Sequence, residues 1–564
     1  MKRKMKRKML PIGYEDIKTI IDKNLYFIDK SLLVEEVLNQ GGQTILLTRP
    51  RRFGKTLNLS VIRRFFEDER TEKGEKIDNT YIFDDLAVSR CSEEVLRHMG
   101  RYPVISFSLK SAKQKEYSLA YGELKKRIGE EFKRHGYVRT ALSEEERAHY
   151  DAISTGDDAP SLYLDALRFL SECLAKYHGE KVFILIDEYD VPLENAYFEG
   201  FYEEMTGFIR SLFESALKTN PYLERGVITG CLRISRESIF TGLNNLNVHS
   251  MLSGHFSSRF GFTEEEVQEL LAYYDLSEKY GELKDWYDGY LFGRTEIYNP
   301  WSIVNYVYEA GSENYLPKPY WSNTSSNRII RELVEEADEE TRSELEVLMN
   351  GGFIEKPVRE EITYGDIHES RDNLWNFLFF TGYLKVKNQR QEGENIYLQM
   401  SIPNREIKSI YRQSILIWFD RKISSTDRSP LIKALEEGDC RTAENFISEQ
   451  LLDTISYFDY AESYYHGFLA GLLKGAGPYE VVSNRESGTG RPDLILREKK
   501  FMGKAMVLEL KTAERFSDME AKCEEAMQQI EDRNYVESLM DDGYRPVLKY
   551  GICFFKKGCR IIGK

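Results

Sequence analysis

Arg49-Pro50-Arg51-Arg52-Phe53-Gly54-Lys55-Thr56 is the octapeptide from which the first half of this 564-residue chain is best interpreted. It follows an apolar run of β type, residues 43–48, and precedes a helical pattern over residues 57–67. A phosphate-binding loop occupies such a junction, because its backbone N–H groups face the anion while a lysine and a hydroxyl reach the phosphates and Mg²⁺. The Gly-Lys-Thr end is intact, but Arg49 replaces the first glycine of the motif, so a chance match in a loop is the alternative.

A second candidate strand, residues 181–186, ends in two adjacent carboxylates, Asp187 and Glu188. Its continuous apolar run is typical of a strand buried on both faces of a parallel sheet. Because ligands of open α/β sheets bind beyond the carboxyl ends of the strands, we expect Asp187 near the phosphates, where it can hold the Mg²⁺ shell. Glu188 can then polarise the attacking water. The alternative is that the two acids only open a loop.

Helical patterns alternate with short apolar strands between residues 17 and 234. This alternation predicts an α/β fold, a P-loop NTPase parallel sheet with helices on both faces. Turn-rich, aromatic residues then predict a helical lid, and acidic helices with short strands predict a helical or winged-helix-like connector. The predicted segments are a basic tail (1–9), a P-loop domain (10–234), the lid (235–330), the connector (331–450) and a C-terminal domain (451–564). The predicted strands of this part are residues 44–48, 104–109, 182–186, 226–229, 382–386 and 396–400.

The C-terminal region carries a different regular pattern. Residues 460–473 have apolar and aromatic side chains at helical spacing, and a second, amphipathic helix is predicted over residues 517–532. Strand candidates lie between and after these helices, at residues 479–484, 493–497, 505–510, 549–555 and 559–562. The predicted order of elements is therefore αβββαββ.

On this framework Asp493 and Glu509 can converge from neighbouring strands. Side chains two apart on a strand point to the same face, so Glu509 and Lys511 project together. Two carboxylates can hold Mg²⁺ or Mn²⁺ through oxygen, and the lysine can position or activate a water that attacks a phosphodiester. Glu462 is a candidate for a further, outer carboxylate, and Gln529 for a contact from the later helix. Cross-strand ion pairing explains the same residues without catalysis.

Composition limits the class of protein. With 41% hydrophobic and 13% aromatic residues the chain can form substantial cores, which argues against wholesale disorder. A net charge of -15 argues against a uniformly basic nucleic-acid coat but allows a local basic groove. No apolar stretch follows the basic start and none approaches a membrane span, so we expect neither secretion nor membrane insertion. The seven cysteines are scattered, which argues against disulfides and structural zinc and favours the cytoplasm.

Further motifs accompany the two candidate sites. In the first half they are Leu10-Pro11-Ile12-Gly13, Tyr26-Phe27-Ile28-Asp29-Lys30, residues 48–56, Ile186-Asp187-Glu188-Tyr189-Asp190 and residues 233–240. In the second half they are Tyr465-His466-Gly467-Phe468, residues 483–488, Gly490-Arg491-Pro492-Asp493 and Glu509-Leu510-Lys511. Together they resemble the bacterial AAA-ATPase-like family fused to a PD-(D/E)XK nuclease superfamily domain, over nearly the full length. In that family Arg-Pro-Arg-Arg-Phe is the ordinary form of the loop, so Arg49 agrees with the resemblance.

The resemblance implies roles for individual residues. The nucleotide-binding set that it implies is Arg52, Phe53, Gly54, Lys55 and Thr56, completed by Asp187 and Glu188, with Thr56 and Asp187 at the Mg²⁺ ion. It also implies a restriction-endonuclease-like C-terminal domain whose nuclease core is Asp493, Glu509 and Lys511, the two acids being the metal ligands. The candidates for an arginine finger are Arg233, Arg236 and Arg259, with structural ion pairs as the alternative.

Two hypotheses of function follow. The first is an ATP-dependent enzyme acting on nucleic acid, DNA being the favoured substrate, in which ATP binding or hydrolysis shifts the lid and licenses the distal nuclease. Defence and mobile-element biology are settings that such an enzyme would suit. The second is an ATP-gated regulatory or assembly switch whose nuclease-like domain binds nucleic acid without cutting it. A homo-oligomer is left open, and a metabolic kinase is disfavoured because no acceptor pocket is recognisable.

Overall fold

The structure is a computed structural model of the chain, and it describes most of the sequence. The described residues are 7–218, 220–233, 239–240, 245–311, 315–321, 328–360, 362, 364–452, 462–475, 477–483, 492–500, 502–533 and 535–564. The chain divides into two compact units. Unit 1 takes in Met1–Ser326 and Phe353–Ser409, and unit 2 takes in Asn327–Gly352 and Ile410–Lys564. The predicted division into five segments is a different partition and stays a prediction.

A five-stranded parallel sheet forms the centre of unit 1. Its strands are β1 (Thr44–Thr48), β2 (Val104–Ser108), β3 (Val182–Asp187), β4 (Leu223–Gly230) and β5 (Leu246–His249), in the spatial order β2-β3-β4-β1-β5. Every residue of β1 and β3 is buried, as the continuous apolar runs of these two strands predict for a sheet covered on both faces. The α/β fold with a parallel sheet is therefore confirmed.

Helices cover this sheet. The helices of unit 1 are Ile17–Asp22, Leu33–Leu38, Lys55–Phe66, Glu93–Leu96, Tyr117–Arg134, Glu144–Thr155, Ser161–Leu164, Ala166–His178, Val191–Glu199, Tyr202–Leu217, Glu264–Tyr273, Tyr280–Tyr287, Pro300–Ala310 and Arg371–Phe380. A further helix, Arg405–Ser425, begins in unit 1 and ends in unit 2. The helix Lys55–Phe66 packs on the sheet through its last turn, where the ring of Phe66 stacks on Phe183 of β3 with 4.3 Å between centroids. This contact holds the end of the helix that follows residues 49–56, here called the phosphate loop, against the beginning of β3.

The predicted lid contains strands as well as helices. β5 lies inside it, and so does a hairpin of β6 (Tyr290–Phe292) and β7 (Thr295–Ile297). The helices of this segment are Glu264–Tyr273, Tyr280–Tyr287 and Pro300–Ala310, and its three strands were not predicted. Among the described strands β5 pairs with β1, which is about 200 residues away in sequence, so no local pattern indicates this four-residue strand.

A three-stranded antiparallel sheet completes unit 1. Its strands are β8 (Ile354–Pro357), β9 (Lys385–Glu392) and β10 (Asn395–Ser401), in the order β8-β10-β9. The residues between β8 and β9 include the helix Arg371–Phe380, so helix and hairpin follow one another as in a winged helix. Gly382 lies against the phosphate loop: a Cβ there would come within 2.8 Å of the Pro50 side chain.

Unit 2 is built around a five-stranded sheet of order β11-β12-β13-β14-β15. The strands are β11 (Tyr479–Ser483), β12 (Leu494–Glu498), β13 (Ala505–Thr512), β14 (Val547–Phe555) and β15 (Gly558–Gly563), and only the β13–β14 pair is parallel. The helices are Arg328–Glu336, Glu339–Met349, Ser429–Glu437, Cys440–Leu452, Glu462–Leu473, Met519–Asp532 and Tyr535–Asp541. The predicted αβββαββ order is confirmed, with Tyr535–Asp541 as an added short helix.

The crossover helix Met519–Asp532 packs closely on β14. A Cβ at Gly551 would lie 2.4 Å from the backbone oxygen of Cys523, so this position of β14 accepts only glycine. The close approach brings the helix side chains over the end of β13 that carries the predicted nuclease residues. Among the described residues, no helix has the length and apolar character needed to cross a membrane.

Candidate nucleotide and nuclease sites

The phosphate loop leads directly from β1 into the helix Lys55–Phe66. Gly54 caps this helix with φ of 81°, a left-handed conformation that glycine adopts without strain. The Lys55 side chain folds back over the loop, and its ammonium donates to the backbone oxygens of Arg49 and Pro50, both at 2.9 Å. Because both acceptors are neutral, the ammonium charge is available to an anion that binds in the loop.

Arg49 stands where the usual motif has a glycine, and its side chain points away from the cavity. It is fully buried and donates to the backbone oxygens of Thr48 and His249, both at 2.8 Å. Its guanidinium lies 5.0 Å from the ring centre of Phe292, and burial lowers its pKa to about 9. Arg49 therefore ties the end of β1 to the end of β5 and supports the loop from behind.

The acid at the end of β3 meets the hydroxyl that follows Lys55. Thr56 Oγ1 donates to Asp187 Oδ2 at 2.7 Å, and Thr229 Oγ1 donates to Asp187 Oδ1 at 2.5 Å. Hydroxyl and carboxylate oxygens are the hard ligands that Mg²⁺ takes, so Thr56 and Asp187 fit a magnesium ion. Thr229 of β4 is a site residue that sequence reasoning missed, because one threonine at a strand end is no signal by itself.

Glu188 follows directly and lines the same cavity as Lys55. It has a positive φ of 50°, which is uncommon for a residue with a side chain and turns the chain sharply after the strand. Burial raises the pKa of Glu188, and the nearby Asp187 raises it further while Lys55 opposes the shift. A desolvated carboxylate in this position can accept a proton from a water molecule.

The other predicted loop residues, Arg52 and Phe53, also line the cavity. Arg52 has φ of 70°, and its guanidinium lies 4.4 Å from the ring centre of Trp301. Phe53 lines the cavity, but its ring is buried between Tyr290 and Phe292 at centroid distances of 5.0 and 5.2 Å. Phe53 therefore anchors the loop to the β6–β7 hairpin.

Two of the candidate finger arginines have carboxylate partners within unit 1. Arg259 Nε donates to Glu36 at 2.9 Å, and Arg233 lies 3.8 Å from Glu360. Arg236 lies outside the described residues. The ion pairs match the structural alternative that the sequence left open, although Arg259 also lines the cavity.

A cavity of about 400 Å³ opens above the loop, a size typical of small-molecule sites. Its lining combines charged and apolar residues. The charged residues include those of the phosphate loop together with Lys110, Lys113 and Glu188. Apolar and aromatic side chains come from residues 10–14 and 26–28 of the N-terminal segment and from Phe262, Leu270, Pro300, Trp301 and Val304. This combination suits a ligand with an anionic tail and a flat apolar body.

Glu406 is a buried carboxylate that supports the wall of this cavity. It accepts hydrogen bonds from Ser302 Oγ and from the Trp321 backbone N–H, both at 2.8 Å. The Trp321 indole N–H in turn donates to the backbone oxygen of Arg51 at 3.3 Å. Burial raises the pKa of Glu406 to about 7 from its ordinary 4.5. Near pH 7 this carboxyl is therefore protonated in about half of the folded molecules.

Glu406→Gln is expected to flatten the pH dependence of stability. Because the folded carboxyl keeps its proton to about pH 7 while the unfolded one loses it near 4.5, the wild type loses stability as pH rises between these values. Two and a half pKa units correspond to at most about 3 kcal/mol. The free energy of unfolding in urea should be measured at pH 5 and pH 8. Between these values the wild type should lose up to that amount of stability relative to the variant. Parallel shifts in wild type and variant would exclude Glu406 as the cause, and the exposed Glu72→Gln is the control.

The predicted nuclease residues meet at the start of β12 and the end of β13. Asp493 directly precedes β12, and its Oδ2 accepts the Leu510 backbone N–H at 2.8 Å. The Asp493 backbone N–H donates to Glu509 Oε2 at 3.3 Å, and Lys511 Nζ lies 4.0 Å from Glu509 Oε1. Gln529, on the crossover helix, donates to Glu509. The structure thus brings together Asp493, Glu509, Lys511 and Gln529, whereas nothing is described of the Glu462 side chain.

The two carboxylates repel one another in a buried setting. Glu509 is 2% exposed, and burial, followed by the charge of Asp493, raises its pKa to about 7 although Lys511 opposes the shift. A divalent cation between the two acids would offset their mutual repulsion, so two carboxylates in this arrangement fit a metal ion. Within the described part of the chain, no group of three or more histidine, cysteine, aspartate or glutamate residues is arranged to hold a metal. Among the described residues, Asp493 and Glu509 are thus the carboxylates that this site offers to an ion.

His466 is a second residue that sequence reasoning missed as part of the site. Its Nε2 lies 3.0 Å from the backbone oxygen of Asp493 and 3.4 Å from Ser483 Oγ. With the proton on Nε2, the ring donates to Asp493 and holds the beginning of β12 in place. The motif Tyr465-His466-Gly467-Phe468 could have indicated His466, but it was used only as evidence for the family resemblance.

Comparison with known proteins agrees with this geometry. Residues 11–240 match the predicted AAA-ATPase family, and residues 460–564 match the PD-(D/E)XK nuclease superfamily. The chain joins an AAA-ATPase-like domain to a PD-(D/E)XK nuclease superfamily domain. It is also similar, at 23% identity over 572 residues and 99% of each chain, to an uncharacterized protein in the vnfD 5′ region of Azotobacter chroococcum mcd 1. The similarity to this relative therefore covers both matched regions of the chain.

Proposed function

We propose that this protein is an ATPase that controls a magnesium-dependent nuclease acting on nucleic acid, with DNA as the favoured substrate. The observation that carries the ATPase part is the contact of Thr56 with Asp187, next to Lys55 in the lining of the cavity. The nuclease part is supported by the convergence of Asp493, Glu509 and Lys511 in a domain of the nuclease superfamily.

In the ATPase site each residue has a distinct task. Lys55 exchanges the backbone oxygens of Arg49 and Pro50 for the outer phosphate oxygens, because a charged acceptor binds an ammonium more strongly than a neutral one. Thr56 and Asp187 would hold Mg²⁺, which neutralises phosphate charge when bound. Glu188 accepts the proton of the attacking water, and burial favours this because it raises the pKa of that carboxyl.

The apolar lining of the cavity supports a purine nucleotide. The rings of Tyr26 and Trp301 and the aliphatic side chains of Leu10 and Ile12 belong to this lining. A purine is flat and mainly apolar on its faces, so such walls bind it by burial and stacking. Base and phosphates would then share a single cavity in unit 1.

In the nuclease site Asp493 and Glu509 would hold Mg²⁺ or Mn²⁺, which stabilises charge on the scissile phosphate when bound. Lys511 is 17% exposed at its side chain and lies next to Glu509, so its ammonium can reach a water or a phosphate oxygen at the surface of the site. Gln529 fixes the Glu509 carboxylate through a hydrogen bond. His466 fixes the backbone of Asp493.

Glu188→Gln is the variant that tests control of the nuclease by ATP. Loss of the proton acceptor is expected to lower phosphate release by about 10²-fold or more, while ATP still binds, since Lys55 and Thr56 are untouched. Phosphate release, ATP binding by calorimetry and cleavage of radiolabelled DNA and RNA are measured on wild type and variant. If ATP binding alone licenses the nuclease, the variant cleaves in ATP as well as the wild type; if hydrolysis is needed, cleavage falls with phosphate release.

Cleavage that is equal with ATP, with ADP and without nucleotide would refute the proposed control. Wild-type protein that binds DNA and ATP but cuts nothing with Mg²⁺ or Mn²⁺ would instead favour the regulatory switch. Glu199→Gln is a suitable control, because Glu199 ends the helix that follows Glu188 and is exposed. Its phosphate release should equal that of the wild type.

A further inference from the structure

Lys110 lies in the loop after β2 and lines the cavity together with Glu188. It follows β2 by two residues, and β2 is parallel to β3 with Ser108 opposite Asp187. The Leu109 backbone N–H donates to the backbone oxygen of Asp187 at 3.1 Å, which holds the loop after β2 against the acidic end of β3. Lys110 and Glu188 both line the cavity. Neighbouring strands thus place a cation beside the residue expected to face the attacking water.

The cations around the cavity differ in how firmly they are engaged. Lys30 is 6% exposed and donates to both carboxylate oxygens of Glu266 at 2.6 Å. The other described pairings of cavity cations are Arg51 with Glu194, Arg259 with Glu36, Arg52 with the Trp301 ring and Lys55 with the loop oxygens. Arg52 is exposed, whereas Arg51, Lys55 and Arg259 are buried or partly buried and build the walls of the cavity.

The pair of Lys110 with Glu15 is different. Its Nζ to Oε1 distance is 2.7 Å, but the two side chains are 53% and 54% exposed. Ion pairs at this exposure add little to stability, because water screens the attraction and the long side chains lose freedom. A doubly charged terminal phosphate in the cavity would attract Lys110 more strongly than a single exposed carboxylate does.

We propose that Lys110 contacts the terminal phosphate of ATP and leaves Glu15 to do so. The proposal rests on the proposed nucleotide function of this cavity. ADP lacks that phosphate, so the pair with Glu15 persists when ADP is bound. Since Glu15 belongs to the N-terminal segment that lines the cavity, release of Glu15 makes the contacts of this segment depend on which nucleotide is bound.

The segment has its own attachments to the predicted lid. The Lys8 backbone N–H donates to Tyr273 Oη at 2.9 Å, and Tyr274 Oη donates to the Lys8 backbone oxygen at 2.8 Å. The ring of Tyr26 packs on both tyrosines, at centroid distances of 4.7 and 5.6 Å. A change at Glu15 therefore occurs in a segment that is held to the end of the helix Glu264–Tyr273.

Calorimetry with magnesium and either ADP or a non-hydrolysable ATP analogue tests the proposal. Lys110→Met is expected to weaken binding of the analogue by about tenfold and to leave ADP binding within about twofold, because one charge-assisted hydrogen bond is lost only with the triphosphate. Lys110→Arg should restore most of the preference. Glu15→Gln should strengthen binding of the analogue, since it removes the competing carboxylate. Lys115→Met replaces an exposed lysine that lies five residues further along and does not line the cavity, and it is the matched control.

Three results would overturn the role of Lys110. They are equal loss of ADP and analogue binding in Lys110→Met, no loss of either, and a loss in Lys115→Met as large as in Lys110→Met. Because Lys110 and Glu15 are exposed, unfolding temperatures of the variants should match the wild type and exclude a folding defect. Wild-type protein that binds neither nucleotide would refute the proposed function itself, and this proposal with it. Wild-type binding of both nucleotides with no effect at Lys110 refutes this proposal alone.

Discussion

Lys55→Ala is expected to abolish detectable ATP binding and phosphate release. Lys55 is 5% exposed, and the two oxygens that its ammonium contacts are neutral backbone oxygens. A bound phosphate would therefore give this ammonium a charged hydrogen-bond acceptor. Two charge-assisted hydrogen bonds to phosphate contribute about 3 kcal/mol or more together, which corresponds to a loss of affinity of at least about 100-fold. Calorimetry with ATP and Mg²⁺ and a phosphate-release assay measure the two effects.

A control must separate loss of the site from loss of the fold. Lys126→Ala removes an exposed lysine from the helix Tyr117–Arg134 of the same unit and should change neither measurement. The unfolding temperature of Lys55→Ala should fall by only a few degrees, because the oxygens of Arg49 and Pro50 can turn to water in the open cavity. Unchanged ATP turnover in a folded Lys55→Ala protein would move the ATPase site elsewhere.

The parts of the fold that the sequence predicts are those with strong local patterns. β1 and β3 are continuous apolar runs, and each was placed within one residue of its observed ends because both faces of such a strand are buried. The αβββαββ order of unit 2 is also a local pattern. Residues 460–473 and 517–532 have helical spacing, and the apolar strand candidates lie between and after these two helices. Parallel pairing of β13 with β14 then follows from the helix between them.

What could not be predicted depends on residues far apart in the chain. Arg51 pairs with Glu194, 143 residues later, and Thr229 reaches Asp187 from another strand. The position of Arg49 is the clearest case. From the sequence alone, the absence of the motif's first glycine weakens the match. In the structure the Arg49 side chain donates a hydrogen bond to the backbone oxygen of His249 and so ties the loop to β5. Only the arrangement of the strands in the sheet brings such partners together.

The candidate nuclease site depends both on a local pattern and on residues far apart in the chain. The E-x-K pattern at Glu509 and Lys511 is local to β13. It predicts that these two side chains share a face of the sheet, but it does not predict that Asp493 lies beside them. Asp493 joins them because β12 is antiparallel to β13, with Leu494 opposite Leu508. Gln529 was expected only as a contact from the later helix, and its bond to Glu509 depends on how closely that helix lies on β14.

Asp493→Asn is expected to remove nuclease activity while leaving ATP binding intact. The carboxylate would lose its charge at the metal, whereas the amide oxygen can still accept the Leu510 N–H that holds β13 in place. Metal-ion stabilisation of a phosphodiester transition state contributes several kcal/mol, so cleavage should fall by about 10³-fold. Glu509→Gln should have a similar effect, and chelation with EDTA should abolish wild-type cleavage until Mg²⁺ or Mn²⁺ is added back.

The controls for this prediction distinguish a contaminating nuclease from the protein's own. Glu520→Gln replaces an exposed acid at the start of the crossover helix and should cut as the wild type does. Equal cleavage by wild type, Asp493→Asn and Glu509→Gln, each purified in the same way, would mean that another protein or another site cuts. Because Asp493 and Lys55 belong to separate units, Asp493→Asn should keep normal phosphate release. A loss of both activities in this variant would indicate misfolding rather than loss of a metal ligand.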